Sequence, residues 1–344
     1  MYSASREPSR RILIIRPSAL GDVARTVPCL VSLRAAYPGA HIDWLVEQGS
    51  GEVIRYHPAL SGVVSFPKKA IKAAAKRLNF GPFLAFRKQL RAANYDAVFD
   101  LQGLARSAAM AFATRAPRRY GLATARELGW LAYTHKAAAD IQMHTVERML
   151  EVVRAAGVEA IHDMRLYTPP PAMGWLSTQS VARSRYAVLA PTSRWAGKQW
   201  PAARFAAVAR HLLAHGVEVA IVGGKNERDQ CEPLLELARA EKGVHDYVGG
   251  TDIGQLMALI EGSALTIAND SAALHMAVGF DRPLVALFGP TRVSRVGPYR
   301  REGDVVQHVT PADPMDHKDS GSVMLMERIS IVEVIAMADA RLGS

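Results

Sequence analysis

The stretch R-I-L-I-I-R-P-S-A-L-G-D-V, residues 11–23, decides the fold class. Residues 11–16 are a short, mostly apolar run that is typical of a buried strand, and Pro17 and Gly21 then mark a loop. A helical pattern follows over residues 23–37, and residues 42–46 repeat the strand pattern. Because strands that alternate with helices are typical of βαβ units, the sequence predicts a parallel sheet.

The same alternation continues along the chain. Further strands are predicted at residues 97–100, 186–190, 217–222, 265–268 and 284–288, and helices at residues 202–215 and 255–261. A length of 344 residues indicates two domains, since one domain takes about 150 residues. We therefore predict an α/β fold of two Rossmann-like, doubly wound domains that face a central cleft, where such folds bind their ligands.

Three consecutive prolines mark the predicted boundary between the domains. Pro169, Pro170 and Pro171 disfavour helix and favour extended backbone. Residues 169–184 are therefore predicted to be a linker. It would join an N-terminal domain of residues 1–168 to a C-terminal domain of residues 185–344.

Composition and missing motifs argue against several classes of protein. Hydrophobic residues make up 49% of the chain and charged residues 22%, as in globular proteins. No run approaches the roughly 18 apolar residues of a membrane span, and the apolar run at residues 12–15 is too short for a signal peptide, so we predict a cytoplasmic protein. Cys29 and Cys231 lie too far apart to indicate a disulfide framework or a cysteine metal site. The absence of G-x-G-x-x-G after a strand and of a Walker A sequence argues against dinucleotide-dependent oxidoreduction and P-loop phosphoryl transfer.

The first candidate functional residue is Asp22, which opens a helix after the Pro17 to Gly21 loop. A carboxylate in the first turn commonly caps a helix and complements its dipole, and without further context this is the more frequent explanation. The alternative is a general base that faces the cleft from the first loop of the first domain.

Two segments of the second half also carry candidate chemistry. The first is N-D-S-A-A-L-H, residues 269–275, where the amides at a helix start could hold phosphate and Asp270 could accept hydrogen bonds from sugar hydroxyls. The alternatives are that Asn269 or Ser271 is a plain helix cap and that His275 is a buried histidine with its hydrogen bonds satisfied. The loop P-T-S-R-W-A-G-K-Q-W-P, residues 191–201, supplies two hydroxyls and two cations suited to a diphosphate. A solvated surface loop is the alternative there.

Together these motifs resemble those of the bacterial lipopolysaccharide heptosyltransferases that use ADP-heptose. The resemblance rests on R-P-S-A-L-G-D-V-A-R-T-V-P at residues 16–28, T-S-R-W-x-x-K-x-W-P at residues 192–201, and N-D-S-A-A-L-H-M with the later F-G-P-T. Their order and spacing match over nearly the whole chain. The resemblance implies the two-domain glycosyltransferase fold called GT-B, inversion at the anomeric carbon, an ADP-heptose donor and no metal or other cofactor. The sequence D-S-A at residues 270–272, where the family often has D-T-G, leaves the donor open.

The resemblance also implies roles for individual residues. Asp22 matches the catalytic base that takes the proton from the acceptor hydroxyl. The residues that match donor contacts, with Ser18 on the loop next to the base, are Ser18, Thr192, Ser193, Lys198, Glu227, Thr251, Asp270, Ser271, Ala272 and His275. Two cations and a helix N-terminus could stabilise the leaving ADP without a metal, and no D-x-D sequence is present.

The net charge of +10 indicates an anionic partner. Basic residues crowd residues 66–95, where Asp and Glu are absent. A solvated helix face is the usual explanation of such a run, but the lack of acids favours a phosphorylated lipid A acceptor, and no nucleic-acid motif accompanies the charge. The predicted acceptor contacts are Lys68, Lys69, Lys72, Lys76 and Arg126. We accordingly expect a monomer in peripheral contact with the cytoplasmic face of the inner membrane.

Two other functions stay open at this point. One is a GT-B transferase or epimerase that uses a different nucleotide sugar. The other is a binding module for nucleotide sugars or polyanions without catalytic activity. Kdo-lipid A, a core heptose and other glycans all stay open as acceptors.

Overall fold

The computed structural model describes residues 10–343 of the chain. The chain divides into two compact units, the first ending at Met164 and the second beginning at Arg165. Over the described residues each unit contains one parallel sheet of six strands. The predicted α/β fold of two Rossmann-like units is therefore confirmed.

The sheet of the first unit has the order β3-β2-β1-β4-β5-β6, which reverses between β1 and β4. Its strands are β1 (Arg11–Ile15), β2 (His41–Glu47), β3 (Gly62–Phe66), β4 (Ala97–Asp100), β5 (Arg118–Leu122) and β6 (His135–Ala137). Its helices are α1 (Leu20–Ala24), α2 (Val27–Ala36), α3 (Glu52–Arg55), α4 (Lys68–Ala75), α5 (Gly81–Ala92), α6 (Ala105–Ala113) and α7 (Thr145–Arg154), with a 3₁₀ helix at Gly129–Ala132.

The sheet of the second unit has the order β12-β11-β10-β7-β8-β9, the same order counted from its own first strand. Its strands are β7 (Tyr186–Ala190), β8 (Glu218–Ile221), β9 (Val244–Asp246), β10 (Leu265–Asn269), β11 (Leu284–Phe288) and β12 (Val305–Gln307). Its α-helices are α8 (Pro170–Thr178), α9 (Ala202–Ala214), α10 (Glu232–Ala240), α11 (Ile253–Gly262), α12 (Ala272–Gly279), α13 (Val293–Val296), α14 (Met324–Glu327) and α15 (Ile331–Leu342).

The central strands are mostly apolar because both faces of each sheet are covered. Residues 12–15 of β1 are fully buried, and all five residues of β7, β10 and β11 are buried. Parallel register places Ile15 opposite Leu45 and Asp100, so the loops after β1, β2 and β4 leave the same edge of the sheet. In the second unit Ala190 lies opposite Ala268, which brings the loops after β7 and β10 to one edge.

Two sequence predictions about helices are wrong in detail. The helix predicted over residues 23–37 is two helices, α1 and α2. Pro28 lies in the first turn of α2, where a backbone N–H has no partner within the helix, so proline is tolerated there. In one continuous helix the same position would need an N–H to donate to the preceding turn, and proline has none. Residues 169–184 are not an extended linker. Pro170 and Pro171 begin α8, since proline is well tolerated in a first helical turn, and this segment folds with the second unit.

Within residues 10–343, no helix is both long enough and apolar enough to cross a membrane.

Candidate active site

Asp22 lies in α1, just after the loop at the carboxyl end of β1. This edge, beside the reversal of strand order between β1 and β4, is where Rossmann-like sheets bind ligands. The side chain of Asp22 is 25% exposed. A carboxylate therefore reaches solvent at the ligand-binding edge of the first sheet.

Two arginines hold this carboxylate. Arg16 Nη2 lies 3.1 Å from Oδ2 of Asp22, and Arg25 donates to Oδ1. The backbone N–H of Ala19 also donates to Oδ2, at 3.2 Å, so the expected capping contact is present as well. Burial raises the pKa of Asp22, but the charges of Arg16 and Arg25 outweigh it and hold the pKa below its usual range. Asp22 is consequently ionised at neutral pH.

Asp100, at the end of β4, is a second carboxylate at the same edge, but it is fully buried. It accepts hydrogen bonds from the Tyr133 hydroxyl at 2.7 Å and from the N–H groups of Gln102 and Gly103 at 2.9 and 3.2 Å. Burial raises the pKa of Asp100 despite these donors. Its contacts point into the protein, so it has a structural role.

Glu47, at the end of β2, is the third carboxylate of this edge and connects two predicted sites. The Ser18 hydroxyl donates to Oε1 of Glu47 at 3.1 Å, and Lys68 Nζ lies 2.7 Å from the same oxygen. Arg106 lies 3.8 Å from it. Lys68, predicted as an acceptor contact, is thus partly neutralised by an acid from outside the basic run. Ser18 lies in the first unit, on the loop before Asp22.

The other three lysines of the predicted acceptor site differ from Lys68. Within the described part of the chain Lys69, Lys72 and Lys76 are exposed and have no ion pair. We refer to them as the unpaired lysines. Arg126 is also exposed, and its backbone N–H donates to Gly103 at 3.0 Å.

In the second unit, the structure brings Lys198 and Asp270 together. Lys198 Nζ lies 2.6 Å from Oδ2 of Asp270, and the two side chains are 15% and 9% exposed. Lys198 comes from the loop after β7 and Asp270 from the end of β10. Two residues predicted to contact the donor therefore form one nearly buried ion pair at the ligand-binding edge of the second sheet.

Asn269 fixes the loop that carries Lys198. Its side-chain amide donates to the Pro191 carbonyl at 2.6 Å, and its carbonyl oxygen accepts from the Trp200 N–H at 3.2 Å. These bonds tie both ends of the 191–201 loop to β10. Asn269 is fully buried, so it is neither a plain cap nor a ligand contact.

Thr192, Ser193 and Glu227 lie on neighbouring loops of the same edge. Thr192 packs on Gly223, where an added Cβ would lie 2.9 Å from Cγ2 of Thr192, so this approach requires glycine. The Ser193 N–H donates to Gln230 at 3.1 Å. Oε2 of Glu227 accepts from the Gly224 N–H at 2.7 Å, which closes the first turn of the 3₁₀ helix Lys225–Cys231.

The remaining predicted donor residues lie on α12 and on the loop before α11. Ser271 is the N-cap residue of α12, but its side chain makes no capping bond. Ala272 begins the helix and His275, one turn on, is 4% exposed. Thr251 is partly exposed, and its loop approaches that of Glu227 because the Gly249 N–H donates to Gly223 at 2.9 Å.

Comparison with known proteins identifies the family. The family described as glycosyltransferase family 9 (heptosyltransferase) matches residues 83–322. The chain belongs to glycosyltransferase family 9. It is therefore a glycosyltransferase, and the family predicted from its motifs is confirmed.

Relatives of this family 9 chain match it over most of its length. It is 28% identical over 304 residues to lipopolysaccharide heptosyltransferase 1 of Escherichia coli K12, and the match covers 84% of this chain and 91% of the relative. It is 25% identical to lipopolysaccharide heptosyltransferase 2 of Salmonella typhimurium, and that match covers 87% of this chain and 88% of the relative. Among solved structures, E. coli heptosyltransferase WaaC with ADP has a TM-score of 0.76 and 25% identity, over 96% of this chain and 99% of that one. E. coli ADP-heptose heptosyltransferase II has a TM-score of 0.78 at 21% identity, over 96% and 98%, which supports the GT-B fold.

Several residues of this family 9 site were not predicted. Arg25 follows Asp22 by three residues on a helical pattern, and that spacing alone could have indicated the pair. Glu47 could have been found from its position at the end of a strand next to β1. His317 packs edge-on against Trp195 at 5.5 Å between ring centres, and burial and then Lys198 lower its pKa. It lies in an irregular C-terminal segment that has no sequence signal.

Across residues 10–343, no three His, Cys, Asp or Glu side chains are grouped as a metal site. Independence from metal stays a prediction. Cys29 and Cys231 are both buried free thiols.

Proposed function

We propose that this glycosyltransferase moves a heptose from ADP-L-glycero-D-manno-heptose to the inner core of lipopolysaccharide, with inversion at the anomeric carbon. The acceptor is Kdo-lipid A or a core heptose. The observation that carries the proposal is the partly exposed, ionised Asp22 carboxylate at the ligand-binding edge of the first sheet. The names of the relatives, and the ADP in one of the similar solved structures, support the donor and the acceptor class.

In this mechanism Asp22 is the general base. Three donors contact its two oxygens, Arg25 on Oδ1 and Arg16 and Ala19 on Oδ2. A carboxylate offers about four acceptor sites, so one on Oδ1 is left for the acceptor hydroxyl. A single base is sufficient for inversion because no covalent intermediate forms.

The two arginines weaken Asp22 as a base, and the reaction tolerates this. The hydroxyl becomes strongly acidic only as its oxygen bonds to the anomeric carbon of an oxocarbenium-like transition state. A carboxylate of low pKa accepts the proton at that stage and stays ionised before it. The arginines also fix the orientation of the carboxylate, because both of its oxygens are held.

The leaving ADP is stabilised in the second unit. Lys198 has three N–H donors, so it can contact the diphosphate while it keeps Asp270. The free amides at the start of α12 and the hydroxyls of Thr192 and Ser193 supply further donors to phosphate oxygens. We propose that these groups do without a metal ion, and that Asp270 accepts hydrogen bonds from heptose hydroxyls. The remaining donor contacts are proposed for Ser18, Glu227, Thr251 and His275.

The unpaired lysines and Arg126 are proposed to contact the phosphates and acidic sugars of the acceptor. Their charge is not neutralised within the described chain, whereas that of Lys68 is partly neutralised by Glu47. An acceptor of this kind places the protein on the cytoplasmic face of the inner membrane, and we propose that it acts there as a monomer.

The proposal is tested by ADP release with ADP-heptose and a panel of acceptors. We expect turnover with a Kdo-containing lipid A acceptor, an inverted anomeric centre in the product by NMR, and the same rate after treatment with EDTA. Faster turnover with another nucleotide sugar would show that this sugar, and not ADP-heptose, is the preferred donor. Binding of ADP-heptose without turnover on any acceptor of the panel would overturn the proposed reaction.

A further inference from the structure

An apolar groove lies between α4, α5 and α6 in the first unit. Its volume is about 290 Å³. Phe66 and Phe86 form part of its floor, with ring centres 5.3 Å apart. Ala109, Met110 and Ala113 of α6 line one wall of the groove. The groove is therefore apolar and open to solvent.

A second groove of about 300 Å³ lies on the other side of α6 and shares Ala109 with the first. Phe112, Leu128 and Leu131 line it, and each is more than 60% exposed. Monomeric proteins seldom leave a continuous apolar surface of this kind without a partner. Leu78 and Phe80, in the turn between α4 and α5, are also exposed.

Basic residues lie at the first groove and on the neighbouring helix α4. Arg87 and Arg106 line the groove. The unpaired lysines belong to α4 and its end, and no acidic residue occurs between Phe66 and Tyr95. A partner of this surface is consequently apolar in the groove and anionic at its rim.

We propose that the groove between α4, α5 and α6 binds one acyl chain of an anionic lipid, with the lipid phosphate held by the basic residues of the rim. The volume is at the small end of ligand pockets, about 300–1,000 Å³, and suits a single flexible chain better than a protein helix of about 10 Å diameter. The inference rests on the proposed lipid acceptor. It adds a site for the part of that lipid which does not react.

A series of single-chain alkyl phosphates, kept below the concentration at which they form micelles, tests the site by calorimetry. Each methylene buried in the groove should raise affinity about fourfold. Affinity should stop rising once the chain fills the groove, and inorganic phosphate or an alkyl maltoside of the same length should bind far more weakly. No dependence on chain length would overturn the acyl site and leave only an anion-binding surface.

Ala109→Trp distinguishes a groove that binds one acyl chain from an apolar surface that inserts into a bilayer as a whole. Ala109 is exposed, so the indole can be accommodated without repacking the core. Filling the groove should weaken alkyl phosphate binding at least about 15-fold, which corresponds to the loss of two buried methylenes. Ala92→Trp, at an exposed alanine of α5 outside the groove, is the matched control and should change little.

The opposite result has a definite meaning. An inserting face gains apolar area from Ala109→Trp, so stronger binding to phosphatidylglycerol vesicles together with unchanged alkyl phosphate affinity would overturn the groove site. If Ala109→Trp does not fold, the chain-length series on the unmodified protein decides alone. Turnover of a deacylated acceptor by the unmodified protein tests the proposed reaction separately, so the reaction and the acyl site can fail independently.

Discussion

Lys198 and Asp270 should affect ADP binding in opposite directions when each is replaced. In the structure they form one ion pair of 2.6 Å with little exposure. If Lys198 contacts the donor diphosphate, Asp270 lies about 5 Å from that diphosphate and repels it. Asp270→Asn should therefore tighten ADP binding, whereas Lys198→Met should weaken it.

The size of each effect follows from this geometry. Two unit charges 5 Å apart interact by about 3 kcal/mol at an effective dielectric constant of 20. Water that enters the site with ADP reduces this to about 1–2 kcal/mol, which corresponds to about 5- to 30-fold tighter binding for Asp270→Asn. Loss of the charge-assisted contact of Lys198 costs about 1.5–3 kcal/mol, or about 10- to 150-fold in affinity.

Calorimetric titration with ADP measures both effects. Lys242→Met and Asp281→Asn make the same charge changes at exposed positions of the second unit and serve as controls. The effect of the double variant on ADP affinity should differ from the sum of the two opposite single effects, because the two side chains share one interaction. Weaker ADP binding by Asp270→Asn, or unchanged binding by Lys198→Met, would refute this arrangement of the donor site.

Three further predictions concern the first unit and the loop of Lys198. Arg25→Gln should raise the pKa of Asp22 by about 1–3 units, as read from its carboxyl NMR signal. The same change should lower the unfolding free energy by about 1–2 kcal/mol at pH 7. This difference should shrink as the pH falls below about 4, since the ion pair is present above the pKa that Asp22 has in the unfolded chain and is lost when the carboxylate is protonated. Replacing the unpaired lysines with Gln should raise the acceptor KM and flatten its salt dependence with donor KM unchanged; an unchanged acceptor KM at low salt would indicate a solvated face. Asn269→Ala should lower the unfolding free energy by about 2–4 kcal/mol, since it removes two buried hydrogen bonds, and an unaltered denaturation midpoint would contradict that role.

The sequence predicted the central strands well and the edge strands poorly. The strands β1, β7, β10 and β11 are buried on both faces and are mostly apolar, with Arg11 in β1 and Thr266 and Asn269 in β10 as the exceptions. Strands such as β6, with the sequence H-K-A, and β9, with V-H-D, have three residues and two of them are not buried. A strand this short and this exposed leaves no alternation or apolar run to detect.

The candidate site was predicted residue by residue, but its contacts were not. The motifs located Asp22, Lys198 and Asp270, yet the pairing of Lys198 with Asp270 joins residues 72 positions apart. Such a contact depends on the parallel pairing of β7 with β10, which single-chain patterns do not specify. The ion pair of Lys68 with Glu47 was missed for the same reason, because Glu47 lies on β2 and the sequence around Lys68 contains no acid.

Replacement of Asp22 with Asn tests the central claim most directly. The change removes the proton acceptor and keeps the shape of the side chain, so kcat for heptose transfer should fall by at least about 10²-fold, within the 10²–10⁴ range of general bases. ADP affinity, measured by calorimetry on the same folded sample, should stay near that of the unmodified protein. Glu47→Gln, which alters another carboxylate of the same edge, should lose far less activity. A kcat near the unmodified value in folded Asp22→Asn protein would contradict the assignment of Asp22 as the base.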